Sequence, residues 1–293
     1  GPEEVTIAEV LNEAGWRTAI FGKWHLKSEP TGFDHYERLL GQGPYYNPKM
    51  RRDGVDRQHT GYTTDIITEL ALDWLRNQRD EDQPFMMMVQ HKAPHRHWQP
   101  AARYLDYLDD VTIEEPANLF DDYSGLGTAA KVQDMEIATT LTRNDLKLVP
   151  QGGLDEQQTA LWNAAYQPKN AELEQAQLSG DELLRWKYQR YLKDYLRCIK
   201  GVDESVGRLQ ATLKELGLDD NTIVIYASDN GRGPGRTPAQ KIRGRKLSTY
   251  EGGIRVPAIA WGPGLGLQAG TESSAVVRAM DWYPTLPTFA GIE

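Results

Sequence analysis

Apolar residues along the chain fall into short runs and spaced stripes, and the two patterns alternate. Val10, Leu11 and Ala14 share one face of a helix that Thr6 and Glu9 open as a capping box and Gly15 stops. Thr18-Ala-Ile-Phe21 follows as a strand and delivers Gly22-Lys-Trp-His25 at its carboxyl end. The segment 31–62, rich in Gly, Pro and Tyr, reads as a loop. Ile66, Ile67, Leu70, Ala71, Trp74 and Leu75 form one stripe, which predicts a helix from Thr64 to about Gln78. Pro84-Phe-Met-Met-Met-Val89 predicts a second buried strand, ending in Gln90-His-Lys-Ala-Pro-His-Arg-His-Trp98.

Residues 99–180 are polar and aperiodic, with short helices at best. A compact domain rarely carries so long a loop without a functional reason, so the stretch is a substrate-side insertion or an error of assignment. Ser179 and Glu182 then open the longest helix. Tyr188, Leu192, Tyr195, Ile199, Val202, Val206, Leu209, Leu213 and Leu216 recur in alternating steps of four and three. The seam is too short and too aromatic for a coiled coil, and predicts one helix packed on the sheet, bending near Gly201 or Gly207. Cys198 within it reads as a small core filler. Ile223 to Ala227 is a run of the kind buried in a parallel sheet, and it stops in Asp229-Asn230-Gly231. A Gly- and Arg-rich loop (231–245), a strand near Val256 to Trp261 and a terminal helix weakened by Pro287 complete the chain.

Helix–strand alternation predicts an α/β fold, a mixed and mostly parallel sheet with helices on both faces. In such sheets ligands bind beyond the carboxyl ends of the strands. Lys23 and His25 follow the first strand, His91 and His95 the second, Asp229 and Asn230 the third. Asp-Asn-Gly is ordinary turn chemistry, and a lone histidine in a loop is more often structural than catalytic. Yet a carboxylate beside an amide oxygen suits a hard cation such as Ca²⁺ better than zinc. Cations, imidazoles and a hard-metal pair at one sheet edge suit a sulfate or phosphate ester, whose charge must be neutralised in the transition state. Lys23, His95 and Asp229 are accordingly expected in one pocket.

Composition narrows the classes. The 293 residues carry a net charge of −9 with a pI near 5.3, and no basic stripe of the kind that binds nucleic acid. No apolar run approaches the roughly 18 residues of a membrane span. The Gly-Pro-Glu-Glu start lacks the charged and apolar regions of a secretory signal and runs almost directly into a helix, as if cut from a longer chain. The single cysteine excludes an intrachain disulfide framework. The absence of an Asn-x-Ser/Thr sequon argues against a glycosylated secreted eukaryotic protein.

Gly22-Lys-Trp-His25, Ala93-Pro-His95, Ser228-Asp-Asn-Gly231, Lys246-Leu-Ser-Thr-Tyr-Glu-Gly-Gly-Ile-Arg-Val-Pro257 and Met280-Asp-Trp-Tyr-Pro-Thr-Leu286 occur in that order. Together they resemble the formylglycine-dependent sulfatases, whose fold is alkaline-phosphatase-like. Residues 29–216, notably His91 to Trp98 and Trp186 to Cys198, are most similar to glycan sulfatases of the N-acetylglucosamine-6-sulfatase type. The stretch after Gly231 is closer to the arylsulfatase-A type. The resemblance implies that Asp229 and Asn230 are two Ca²⁺ ligands and that Lys23 and Lys246 bind sulfate oxygens, Lys246 also near the leaving oxygen. It implies that His25 holds the nucleophile's hydroxyl, and that His95 binds sulfate and helps protonate the leaving alcohol. His91, Arg96, His97 and Trp98 become candidate sugar contacts, with Arg243 and Arg245 as further anion-binding candidates.

The family's Cys/Ser-x-Pro-Ser-Arg nucleophile motif is not in this sequence, and Arg197-Cys-Ile-Lys200 does not match it. Residues 1–293 are therefore expected to be a single partial sulfatase catalytic domain. The nucleophile and the remaining Ca²⁺ ligands are expected upstream, with a C-terminal subdomain also missing and 99–180 as the insertion. Such a chain is expected neither to turn over sulfate esters nor to hold calcium tightly. The resemblance places the parent in the periplasm or outside the cell, with a sulfated carbohydrate or another sulfate ester as its partner. Two alternatives stay open: a catalytically silent sulfate- or glycan-binding module, and a phosphodiesterase of the same fold, where zinc would call for a histidine in place of Asn230.

Overall fold

The strand that organises the first half of the chain is β1 (Arg17–Gly22), buried from Thr18 onward. A computed structural model describes residues 3–121, 124–125, 127–128, 136–231 and 246–292. On one side β1 pairs in parallel with β2 (His35–Leu39), which continues antiparallel into β3 (Lys49–Arg52) and β4 (Val55–Gln58). On its other side β1 pairs in parallel with β5 (Phe85–Gln90), in register Arg17–Phe85 to Gly22–Gln90. The sheet order is β4-β3-β2-β1-β5. An uninterrupted apolar run in the middle of a sheet is what burial on both faces requires.

The expected loop over 31–62 is thus partly sheet. Its strands were hidden because His35-Tyr-Glu-Arg-Leu39, Lys49-Met-Arg-Arg52 and Val55-Asp-Arg-Gln58 are dominated by charge rather than by alternating apolar residues. Arg51 Nε meets Asp56 Oδ1 at 2.7 Å across the β3–β4 pair. Asp53 and Gly54 both have positive φ, the backbone that a two-residue hairpin needs. β4 is exposed along its length, and its charges suit a strand near an open edge.

Helix α1 (Ile7–Glu13) has the expected reciprocal cap: Glu9 N–H donates to Thr6 Oγ1 at 3.2 Å and Thr6 N–H to Glu9 Oε2 at 2.6 Å. α2 (Thr63–Asp73) continues as a π-helical turn over Trp74–Gln78, with Trp74 and Leu75 buried. The Trp74 ring lies 6.5 Å from Phe21 of β1 and 6.0 Å from Phe85 of β5, tying this helix to the two parallel strands.

Two compact units emerge: Gly1–Lys92 with Val202–Thr222 and Gly262–Glu293, and Ala93–Gly201 with Ile223–Trp261. The second contains α3 (Glu156–Ala176), which the aperiodic reading of 99–180 missed. Asp155 and Gln158 cap it, but it buries only Trp162 and Tyr166 and holds Pro168, so its apolar stripe is too thin to show as a period. The long helix is present as α4 (Gly180–Glu215), with Cys198 fully buried.

A further expectation needs correction. The Ile223–Ala227 run does not enter a parallel sheet among the described residues: β6 (Val224–Ala227) pairs antiparallel with β7 (Ala258–Trp261). Tyr226 and Ile259 are exposed. An apolar run specifies a strand, and it leaves the partner and the covering layer open. The chain ends in α5 (Trp282–Phe289), with Pro287 buried inside it.

Candidate active site

In the first unit, the end of β1 is held against β5 by a glycine. Gly22 has φ +102°, and a Cβ there would stand 2.1 Å from Gln90 O. Lys23 N–H then donates to Gln90 O at 2.7 Å, carrying the pairing one residue past the strand. Two residues on, His25 takes a left-handed φ of +49°, and the Gln42 amide nitrogen lies 3.0 Å from its Nδ1. Gln42 also offers its backbone oxygen to Lys92 Nζ at 3.4 Å, and that ammonium lies 5.0 Å from the centre of the Tyr45 ring. Lys23, His25, Gln42 and Lys92 therefore belong to one local structure at the carboxyl ends of β1 and β5. Gln42 and Lys92 were not expected from sequence; the signal was Lys92's place in the His91–His95 run.

His91, a candidate sugar contact, has a packing role instead. Thr68 Oγ1 donates to Thr64 O at 2.7 Å, so its remaining contact, Ser205 Oγ at 2.7 Å, must be the donor to it. Ser205 Oγ then accepts from His91 Nε2 at 2.9 Å. This leaves His91 Nδ1 buried and unpartnered among the described residues. Burial pulls the imidazole from 6.5 to about 4, so it is neutral in the folded protein at neutral pH. The unfolded chain takes up a proton in that interval and the folded chain does not, so stability is full above 6.5 and falls as pH drops toward 4. The loss should be on the order of 3 kcal/mol. Denaturant melts across the window should show this slope in the natural protein and not in His91→Asn; equal slopes would assign it to other groups.

In the second unit, His95 Nδ1 donates to Arg96 O at 2.7 Å, which leaves Nε2 as the nitrogen that accepts a proton in the neutral ring. Arg96 and His97 converge on Asp145. The guanidinium spans both carboxylate oxygens, with Nε 2.7 Å from Oδ1 and Nη2 on Oδ2. His97 Nδ1 donates to Oδ1 at 2.6 Å. Thr142 adds its backbone N–H and its hydroxyl, both 2.7 Å from Oδ2. Burial raises the Asp145 carboxyl, but hydrogen bonds from Arg96, His97 and Thr142 outweigh it and hold the group well below the usual carboxylate range. With Nδ1 committed, His97 has Nε2 for other partners, and its side chain is 44% exposed. Lys147 Nζ, fully buried, donates to His97 O at 2.7 Å and to Asp145 O at 2.6 Å.

Asp145 went unnoticed in the sequence, although Thr142-Arg-Asn-Asp145 has the Ser/Thr-x-x-Asp/Glu spacing of a reciprocal cap. Trp98, the remaining sugar-contact candidate, is 2% exposed, its ring edge-on to Tyr191 at 4.6 Å. A ring packed in the interior has no face for a sugar, so Trp98 is core.

Asp229 and Asn230 follow β6 as expected, and their glycine has a reason beyond turn formation. Gly231 N–H donates to Gly253 O at 2.9 Å, and a Cβ on Gly231 would come within 2.3 Å of Gly252 O. The Asp-Asn-Gly and Lys246–Pro257 segments are thereby brought together, with Lys246 half-buried in a turn. Arg243 and Arg245 lie outside the described residues. Among those described, no group of three or more His, Cys, Asp or Glu could enclose a metal. The donor set still fits a hard cation in part: Asp229 and Asn230, consecutive in the sequence, carry a carboxylate and an amide oxygen, two of the roughly six to eight oxygens that Ca²⁺ takes.

Comparison with known proteins gives a consistent account. The family model described as Sulfatase matches residues 1–292. N-acetylglucosamine-6-O-sulfatase of Bacteroides thetaiotaomicron is 42% identical over 99% of this chain and 54% of its own length. A putative extracellular sulfatase Sulf-1 homolog of Caenorhabditis elegans is 26% identical over 99% of this chain and 36% of its own. A solved structure of a protein with its substrate D-glucosamine-2-N,6-O-disulfate superposes with a TM-score of 0.90 at 41% identity, covering 99% of this chain and 62% of that one. The present chain thus spans about half the length of the first relative. Its α/β, alkaline-phosphatase-like fold is the one expected from the sequence. With the match running from the first residue to the last but one, the chain belongs to the sulfatase family.

Proposed function

We propose that the full-length protein, with the family's nucleophile motif, hydrolyses sulfate esters on a glycan, with 6-sulfated glucosamine as the reacting unit. The observation that carries this reading is the 42% identity to an N-acetylglucosamine-6-O-sulfatase across 99% of the chain. Lys23 and Lys246 neutralise sulfate oxygens, where positive charge is worth most as charge builds in the transition state. His25 holds the attacking hydroxyl, and His95 passes a proton from Nε2 to the departing sugar oxygen. Arg96 and His97 contact the sugar, Asp145 fixing both. A formylglycine of the family's kind would supply the attacking oxygen; its motif is not within residues 1–293. Asp229 and Asn230 fit Ca²⁺ as two oxygen ligands, and a bound Ca²⁺ would offset sulfate charge. Asn230, where a zinc phosphodiesterase would need an imidazole, favours sulfate over phosphodiester.

The reading places the protein in the periplasm or outside the cell, in keeping with a relative named as extracellular. No described helix is long and apolar enough to cross a membrane. The test, on a protein that includes the family's nucleophile motif, is release of sulfate from N-acetylglucosamine-6-sulfate and N-acetylgalactosamine-6-sulfate, beside hydrolysis of an aryl phosphodiester. Faster release from the glucosamine ester is expected. Diester hydrolysis without sulfate release would overturn the proposal in favour of a phosphodiesterase, and no reaction with any substrate would favour a silent binding module.

A further inference from the structure

A cleft of about 390 Å³ in the second unit takes no part in the chemistry above. Its walls come from α3, the middle of α4 and the loop at Asp109, and they are positive. Lys169, Arg190, Lys193 and Arg197 face it against the carboxylates of Asp109 and Glu172, in a protein whose net charge is −9.

The pairing within the cleft shows where the excess lies. Arg197 is committed: Nη2 donates to Asp109 Oδ1 at 2.6 Å and Nη1 to Asp194 Oδ1 at 2.8 Å. Lys169 Nζ donates to both Asp109 oxygens, 2.7 Å from Oδ2 and 2.8 Å from Oδ1. Arg190 and Lys193 differ. Arg190, 7% exposed, donates through Nη1 to Leu146 O at 3.1 Å and Asn170 Oδ1 at 3.2 Å. Its guanidinium lies 5.0 Å from the Trp186 ring centre and 5.3 Å from that of Tyr166. Lys193 Nζ reaches only the backbone oxygen of Asp109, at 3.3 Å. Neither has a carboxylate within ion-pair distance among the described residues. Burial also pulls the Lys193 ammonium below its ordinary value, against the field of Asp109. A buried cation is normally paired, and Arg190 has neutral partners; half-exposed Lys193 stands in the same cleft with a backbone oxygen as its partner, so an anion entering the cleft supplies what the protein leaves out.

The cleft's size lies at the lower end of small-ligand pockets. The aromatic ring of Trp186 beside a planar guanidinium offers both an apolar wall and a fork for oxyanions. The loop Asp145–Lys147 is common to this cleft and the candidate site: Asp145 fixes His97, and Leu146 O accepts from Arg190.

We propose that this cleft binds an anionic group, a sulfate ester or a uronate carboxylate, on a sugar other than the one being desulfated, with Arg190 and Lys193 as its cations. The inference rests on the glycan-sulfatase reading for its ligand. It makes the protein selective for longer, densely charged chains over single sugars.

The test compares Lys193→Gln and Arg190→Lys with the natural protein on N-acetylglucosamine-6-sulfate and on a sulfated heparan-type tetrasaccharide. Lys193→Gln should raise KM about tenfold on the tetrasaccharide, with kcat and the monosaccharide kinetics unchanged, a loss of about 1.4 kcal/mol of binding. Arg190→Lys, which keeps the charge and loses the fork, should give a smaller rise. A tetrasaccharide with its uronates reduced to neutral sugars distinguishes the sources: loss of the Lys193 effect there assigns the cleft to a carboxylate, its persistence to a sulfate. Equal effects on both substrate lengths, or none on either, would overturn the proposal. Calorimetry with a tetrasaccharide lacking 6-sulfate reads binding without turnover. Should the protein release no sulfate at all, binding weakened by Lys193→Gln would still support the cleft, and binding unaffected by it would reject it.

Discussion

Replacing Asp145 with alanine is expected to lower stability by on the order of 3 kcal/mol, the usual scale for stranding a partner of a buried ion pair. Asp145 is itself 1% exposed and accepts from Arg96, His97 and both donors of Thr142. Removing it leaves the Arg96 guanidinium with Thr140 O at 2.8 Å as its remaining acceptor, and unties His97 Nδ1. Asparagine should be little better, because its amide NH₂ would face donors where a carboxylate oxygen stood. The acid dependence follows from the sign of the shift. A carboxyl held below its unfolded value stabilises the fold at all pH above that value, about 3.9, and the contribution is lost as pH falls further. Chemical denaturation of Asp145→Ala at neutral pH checks the magnitude. A loss under 1 kcal/mol would mean that solvent takes over the Arg96 and His97 hydrogen bonds with little cost. Kinetics of the same variant separate a second consequence: with His97 untied, KM for sugar sulfates should rise.

The elements that were legible in the sequence are those whose apolar pattern is dense. β1 is a buried run, β5 is an apolar run that the structure leaves half-buried at the end of the sheet order rather than buried as expected, α1 has a reciprocal cap, and α4 carries a long seam; each lies where its pattern put it. β2 to β4 were not legible because their surfaces are charged, and α3 because a helix that buries Trp162 and Tyr166 alone shows no period. For β6 the strand was visible but its antiparallel partner was not, since periodicity is a property of one segment and pairing of two.

The site shows the same division. The positions of Lys23 and Asp229 just past strand ends could be located because a strand end is a place that sequence specifies. Which side chains turn outward could not. Neighbours in the His91–Trp98 run have different fates: His91 in a hydroxyl chain, Arg96 and His97 on a carboxylate 48 or more residues away, Trp98 in the core. Asp145 became visible only once the fold had brought it to them.

The second large effect belongs to His95. In the full-length protein, with the family's nucleophile motif, replacing it with alanine should lower kcat on sugar sulfates by roughly 10²–10⁴, the range that a positioned proton donor contributes. Aryl sulfates with acidic phenols should lose much less, since a phenolate departs without a proton. The geometry assigns the role to one nitrogen. Nδ1 donates to the Arg96 carbonyl at 2.7 Å, a backbone acceptor that no side-chain change removes, so the ring exchanges its proton through Nε2. His95→Gln sharpens the test, because a glutamine amide can still hydrogen-bond to sulfate or the leaving oxygen and cannot deliver a full proton. If sulfate binding were the whole of the contribution, glutamine would restore much of the rate on both substrate types. If proton delivery dominates, glutamine should resemble alanine on sugar sulfates and the natural protein on activated aryl sulfates. Plotted against leaving-group pKa, log kcat for His95→Ala should fall more steeply than for the natural protein, the two lines meeting at acidic phenols. Parallel lines would remove His95 from the acid role and leave it as a sulfate ligand.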